Sequence, residues 1–179
     1  MLERRKELEP KLRDLERAGD LSIVQSPGED VEELSDVVCR VRDAGLLPDK
    51  HAIGVDAAGI GAIVDAITSP DRDISIDQIV AVSQGWKLNG AIKTAERALA
   101  GDDDPPGIWS GGDLTHCAQP LMAWAAGNAK VVPVGNAVTI TKQASGSAKI
   151  DPLMATFNAV TLMALNPQTE LHDGEVTFV

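Results

Sequence analysis

The chain has 179 residues and 44% hydrophobic content, enough for one cored domain, or a domain with a small appendage. Aromatics make up 3%, with no Tyr, so the core must be built from Val, Ile, Leu, Ala and Met. A net charge of −11 argues against a free-standing nucleic-acid binder, because phosphate affinity comes largely from Lys and Arg. It leaves room for a nuclease, whose cation-holding carboxylates are themselves acidic. Cys39 and Cys117 have no metal-ligand spacing and suggest a reducing compartment. The segment after Met1 lacks the apolar core of a secretory signal, and no apolar run approaches the length of a membrane span. A cytoplasmic protein is expected.

Leu2 to Ala18 is charged throughout, with Leu2, Leu8, Leu12 and Leu15 as its main apolar residues. It reads as a surface helix broken near Pro10, which needs a partner surface to be stable. "LSIV", Leu21 to Val24, is a short strand candidate followed by the turn "SPG". An amphipathic helix is expected from Glu29 to Ala44, with Val31, Leu34, Val38 and Val41 as its buried stripe and Gly45 as its stop.

"HAIGVD" reads as a strand that delivers Asp56 at its C-terminal end, "GIGAIVDAI" as a short helix, and Gln78 to Val82 as a second strand. A helix from Leu88 to Leu99 is followed by "GDDDPPGIWSGGD", an exposed and mobile loop by composition. "QPLMAWAAGNA" is helical. "KVVPVGNAVTITK" gives two strands around Gly135 and Asn136, with Pro133 at an edge or bulge. The last helix opens at Asp151, and Leu153, Phe157, Val160 and Ala164 recur along one face. Strands alternating with helices predict a mixed α/β sheet with helices packed on it.

"GVDAAGIG" fits neither the dinucleotide fingerprint nor the P-loop, and no Lys-Ser/Thr follows. It does place a carboxylate at a strand end, where ligands commonly sit in open α/β sheets. The bland account of Asp56 is a turn former, and that of Asp151 before Pro152 is a helix cap. Together, a strand-end Asp and a helix-start Asp can converge on a hard cation such as Mg²⁺. Such a pair usually needs a third carboxylate. Asp65 is the first candidate, and Asp102, Asp103 and Asp104 read as a solvated loop tip. Adjacent His116 and Cys117 point in different directions, which argues against a catalytic dyad. Lys130 and Lys142 sit at hairpin ends, where they either meet phosphates or protect a strand edge.

Taken in order, "LERAGDLSIV", "IGVDAAGIGAIVD", "VSQGWKLNGAIKTAERALA", "LTHCAQPLMAWAAGNAKV", "ITKQASG" and "KIDPLMATFNAV" resemble the C-terminal nuclease domain of the large terminase subunit of tailed phages. The resemblance runs from about Leu12 to Leu165. Each motif alone is unspecific; the order of all six carries the match.

The resemblance implies an α/β, RNase H-like mixed sheet with flanking helices and a metal-dependent endonuclease that cuts concatemeric DNA during packaging. Asp56 matches the family's strand-end acidic residue, and Asp151 the one that opens its final core helix. Both are implied as catalytic ligands of Mg²⁺ or Mn²⁺, with Asp65 as a candidate third ligand and Lys130 and Lys142 as DNA contacts. Their carboxylates are then expected within about 8 Å of each other. The implied partners are double-stranded DNA, a terminase ATPase domain, a small terminase subunit and the portal, in the cytoplasm of a bacterial host.

On this reading residues 1–20 are a helical extension, 21–165 the nuclease domain and 166–179 a tail. No segment before Leu21 reads as the strand that bears the family's first catalytic Asp. A partial nuclease domain with impaired cleavage is therefore expected, its open sheet edge covered by the N-terminal helix or by a second copy. The alternative is a non-catalytic RNase H-like interaction module of a phage or prophage. A small-ligand-binding α/β domain built on the Asp56 strand end is a third reading.

Overall fold

The computed structural model describes residues 6–56, 58, 60–100, 114–115, 117–142 and 148–165. The protein is mixed α/β and divides into two compact units, residues 1–23 with 84–161 and residues 24–83 with 162–179.

In the first unit, helix α1 (Glu9–Arg17) follows a single 3-10 turn at Lys6–Leu8. Pro10 was expected to break this helix, but it stands in the first turn, where its missing N–H has no partner to lose. Leu8 and Leu15 are both buried, Leu15 to 1% exposure, so the charged segment anchors itself through two leucines on one face. The expected strand at Leu21 to Val24 is irregular backbone that joins no ladder. Four residues carry too little signal to separate a strand from a connecting segment.

Helix α4 (Asn89–Ala100) is entered through a 3-10 turn at Gly85–Leu88. Leu88, Ile92, Ala95 and Ala98 make its buried stripe, and alanines there allow close packing without aromatic bulk. Helix α5 (Pro120–Gly127) begins with Pro at its first position. Strands β3 (Ala129–Val134) and β4 (Ala137–Lys142) form an antiparallel hairpin that packs on α4 and its entry turn through β4. Gly135 has a φ of 58°, while Asn136 does not enter the left-handed region. That is the pattern of a type II′ turn, whose twist matches the two strands.

Pro133 lies opposite Val138, and the Val138 N–H donates to Asn89 Oδ1 at 2.9 Å. At this rung the backbone groups of both strands point out of the ladder, so proline removes no hydrogen bond. The expected edge position is what the ladder shows. Helix α6 (Asp151–Met163) buries Phe157, Val160 and Leu162. Ala164 lies beyond the helix end and is exposed, so the expected stripe stops one turn earlier. The buried Asn158 is satisfied by Gln84 Nε2, which donates to its Oδ1 at 3.0 Å.

The second unit holds α2 (Glu29–Asp43), β1 (Ile53–Asp56), α3 (Gly61–Ile67) and β2 (Ile79–Val82). β1 and β2 pair in parallel, with α3 in the crossover between them. A crossover of this kind is what parallel neighbours require. Ile67, Ile74 and Val82 are buried apolar residues of this unit. Helix α2 packs on α3, and Val31, Val38 and Val41 of the expected stripe are half-buried, whereas Leu34 departs from it. Leu34 is 42% exposed, and Ser35 is buried in its place, its hydroxyl donating to the Val31 carbonyl at 2.8 Å. That bond removes the cost of burying a hydroxyl, which hydrophobic periodicity does not foresee.

The expected single mixed sheet is absent among the described residues. The parallel pair β1–β2 and the antiparallel pair β3–β4 are separate two-stranded ladders.

Candidate metal centre

Asp56 ends β1, opposite Val82 of β2, and its side chain is exposed. Its Oδ1 accepts the Ala58 N–H at 3.1 Å, closing a side-chain turn two residues on. This is the turn-forming role that a strand-end Asp ordinarily plays. The turn uses one oxygen and leaves the other outside it.

Asp151 is the first residue of α6. Among the described residues its carboxylate makes no capping hydrogen bond. Its recorded contact is Lys149 Nζ, 4.0 Å from Oδ2, with 70% of the Asp151 side chain exposed. The expected cap is therefore replaced by a first-turn carboxylate. That position still gains from the helix dipole, but it satisfies no backbone donor. The Ile150 carbonyl accepts the Met154 N–H at 3.0 Å and so starts the helix.

Exposed carboxylate oxygens are the donors that Mg²⁺ and Mn²⁺ favour, and the chemistry of both residues fits a hard cation. Asp56 belongs to the second unit and Asp151 to the first. Asp65 lies on α3 with its side chain exposed. Among the described residues, no three His, Cys, Asp or Glu side chains cluster closely enough to hold a metal ion. His116 and Asp102, Asp103 and Asp104 lie outside the described residues. Cys117 is exposed.

Lys130 and Lys142 are both exposed at the open end of the hairpin. Lys142 stands opposite Ala129, and Lys130 opposite Thr141. Directly opposed residues share a face and neighbours alternate, so the two lysines project from opposite faces of the ribbon. They cannot act as a pair on one side of it.

The net charge is unevenly spread. The second unit carries 15 of the 27 Asp and Glu residues against 4 of the 16 Lys and Arg, a balance of −11. The first unit holds the remaining 12 of each and is neutral. Repulsion of a phosphate backbone therefore originates in the second unit, and the first unit, with Asp151 and all three lysines named here, offers no net barrier.

No protein-family model, curated protein or solved structure matches the chain. Among the described residues, no helix is long and apolar enough to cross a membrane.

The structure adds residues that sequence reasoning passed over. Arg72, on the loop before β2, bridges Asp36 at 2.8 Å and Glu32 at 2.6 Å on α2. It also donates to Cys39 Sγ at 3.9 Å, and its carbonyl accepts from Arg42. The hydrogen bond that Arg72 donates to Asp36, with Cys39 and Glu32 adding to it, holds the Arg72 guanidinium above its usual range. Glu32 and Asp36 at i and i+4 could have signalled a basic partner, but nothing in the sequence names Arg72. Lys149 stands two residues before Asp151, a proximity visible in "AKID" once Asp151 is known to open a helix.

Proposed function

We propose that this chain is a nuclease domain of the kind found in phage terminase large subunits, RNase H-like, with Asp56 and Asp151 each a candidate ligand of divalent metal. One observation supports this reading above the others. The two carboxylates that the family pattern nominates are both exposed, one at a strand end and one in the first turn of a helix, and among the described residues no cation lies closer to Asp151 than 4.0 Å. In that role the metal, once bound, polarises the scissile phosphate and lowers the pKa of a water. The protein's own contribution is the two hard oxygen donors and a neutral unit for DNA to approach. Lys130 and Lys142 serve as separate phosphate contacts on two sides of the hairpin.

The test is Mn²⁺ binding by the full chain, measured calorimetrically. Asp56→Asn and Asp151→Asn should each weaken binding about tenfold or more, since each removes an anionic ligand. Binding that is indifferent to both substitutions would remove the nuclease reading. Cleavage of plasmid DNA by the chain should be slow, and Mn²⁺-dependent where it occurs.

The charge partition favours a second reading, a non-catalytic interaction module. A unit with 15 acidic against 4 basic residues suits a basic protein partner better than a nucleic acid.

A further inference from the structure

We infer that the outward face of α2 is a docking site for a basic amphipathic helix of a protein partner. The inference rests on the interaction-module reading given above and involves no metal. One side of α2 faces its own unit: Ser35 is buried there, and Arg72 takes Glu32 and Asp36. Away from that side an apolar row comes to the surface. Leu34 and Val37 are 42% and 44% exposed, and the half-buried Val41 continues the row at helical spacing. The helix end lengthens it. Gly45, at a φ of 70°, brings its N–H to the Arg42 carbonyl at 2.8 Å and the Leu46 N–H to the Val41 carbonyl at 3.1 Å. This double closure turns Leu46 back toward Val41 and leaves it 43% exposed. Exposed leucines scattered singly need no explanation, but a row of them does.

The charges beside the row say what covers it. Glu29 is taken by the Gln25 and Ser26 N–H groups, Glu32 and Asp36 by Arg72, and Asp43 by Arg42. Asp30 and Glu33 are exposed and have no ion-pair partner among the described residues. They stand one turn before Leu34 and Val37, on the same face. Asp30 also suits the helix dipole, but Glu33 lies beyond the first turn, where that effect fades. Arg40, the exposed arginine of α2, stands toward the other end. The whole unit carries 15 acidic against 4 basic residues. A second copy would bring the same charge to the same face, and a nucleic acid would add more. A helix with leucines on one face and Lys or Arg beside them answers both the row and the two carboxylates.

The probe is a fluorescein-labelled model helix of about 14 residues, leucine on one face and lysine on the other, titrated with the full 179-residue chain and read by anisotropy. It should bind, and a scrambled peptide of the same composition should bind at least about tenfold more weakly. Leu34→Ala combined with Val37→Ala, which keeps helix propensity, should weaken binding about tenfold or more. Asp30→Asn combined with Glu33→Gln should weaken it about three- to tenfold at low ionic strength. Leu99→Ala, at an exposed leucine on α4 of the other unit, should leave it within about twofold. Should the paired alanines disturb the fold by circular dichroism, Leu34→Gln alone is read in their place. Binding that falls with charge and salt but ignores Leu34 and Val37 overturns the α2 face and leaves the acidic unit as a site for basic proteins. Self-association of the chain that Leu34→Ala abolishes assigns the face to a second copy and overturns the proposal. No binding at low ionic strength overturns the α2 face and the interaction-module reading together.

Discussion

The carboxylate of Asp20 accepts the backbone N–H of Leu121 at 2.8 Å, joining positions 101 residues apart. Helix α5 opens at Pro120 and has no side-chain cap of its own, so Asp20 satisfies from the far end of the unit a donor that the helix leaves open. Asp20→Ala should destabilise the protein by about 1 kcal/mol, and Asp20→Asn by less, because the amide oxygen still accepts. Urea unfolding followed by circular dichroism reads both, and equal losses would show that the hydrogen bond is incidental.

Leu15 and Leu34 separate buried from exposed leucines on two helices. Leu15 is 1% exposed and Leu34 42%. Leu15→Ala should cost about 2–5 kcal/mol, and Leu34→Ala within about 1 kcal/mol. Comparable losses at the two positions would contradict the face assigned to α2.

Glu29 Oε2 accepts the N–H of Gln25 at 2.8 Å and of Ser26 at 2.9 Å. These two backbone donors, Ser26 the stronger, hold the carboxyl below its ordinary value. A depressed folded pKa gives a stabilisation that is present above the unfolded value and lost as pH falls through the folded one. The turn before α2 should therefore loosen only as pH falls below the ordinary glutamate range, and Glu29→Gln should remove that part of the acid dependence. Amide chemical shifts of Gln25 and Ser26 followed from pH 6 downward, to about pH 2.5, check it. A midpoint at or above the ordinary glutamate value would refute the arrangement.

Pro133 sits where its missing N–H costs no ladder bond, so its value is at the outer edge of β3. Pro133→Val should leave the unfolding midpoint within about 0.5 kcal/mol of the parent, yet promote self-association, since it restores a donor to the edge beside the exposed Val131 and Val134. Light scattering with concentration reads the association. A large loss of stability would mean that the proline rigidifies the hairpin instead.

Much of the local structure was legible in the sequence. The Glu29 helix, the strand ending at Asp56, the Gly135 turn and the helix opening at Asp151 all follow from periodicity, glycine and proline chemistry. What was not legible depends on partners distant in the chain. Ser35 is buried because its hydroxyl finds the Val31 carbonyl, and Arg72 is fixed by two carboxylates on α2. Leu21 to Val24 has the apolar make-up of a short strand but joins no ladder. Asp151 was legible as the opening of a helix, though not the ammonium beside it. Asp56 shows the limit of residue-level reading, because its side chain closes a turn with one oxygen and leaves the other outside it.

The most direct test of the metal-site proposal is a crystal structure of the chain grown with Mn²⁺, with the ion located by its anomalous scattering. The account predicts Mn²⁺ within about 2.0–2.4 Å of a carboxylate oxygen of Asp56 and of one of Asp151. Manganese bound by neither residue, or by only one with the other directed elsewhere, would contradict it.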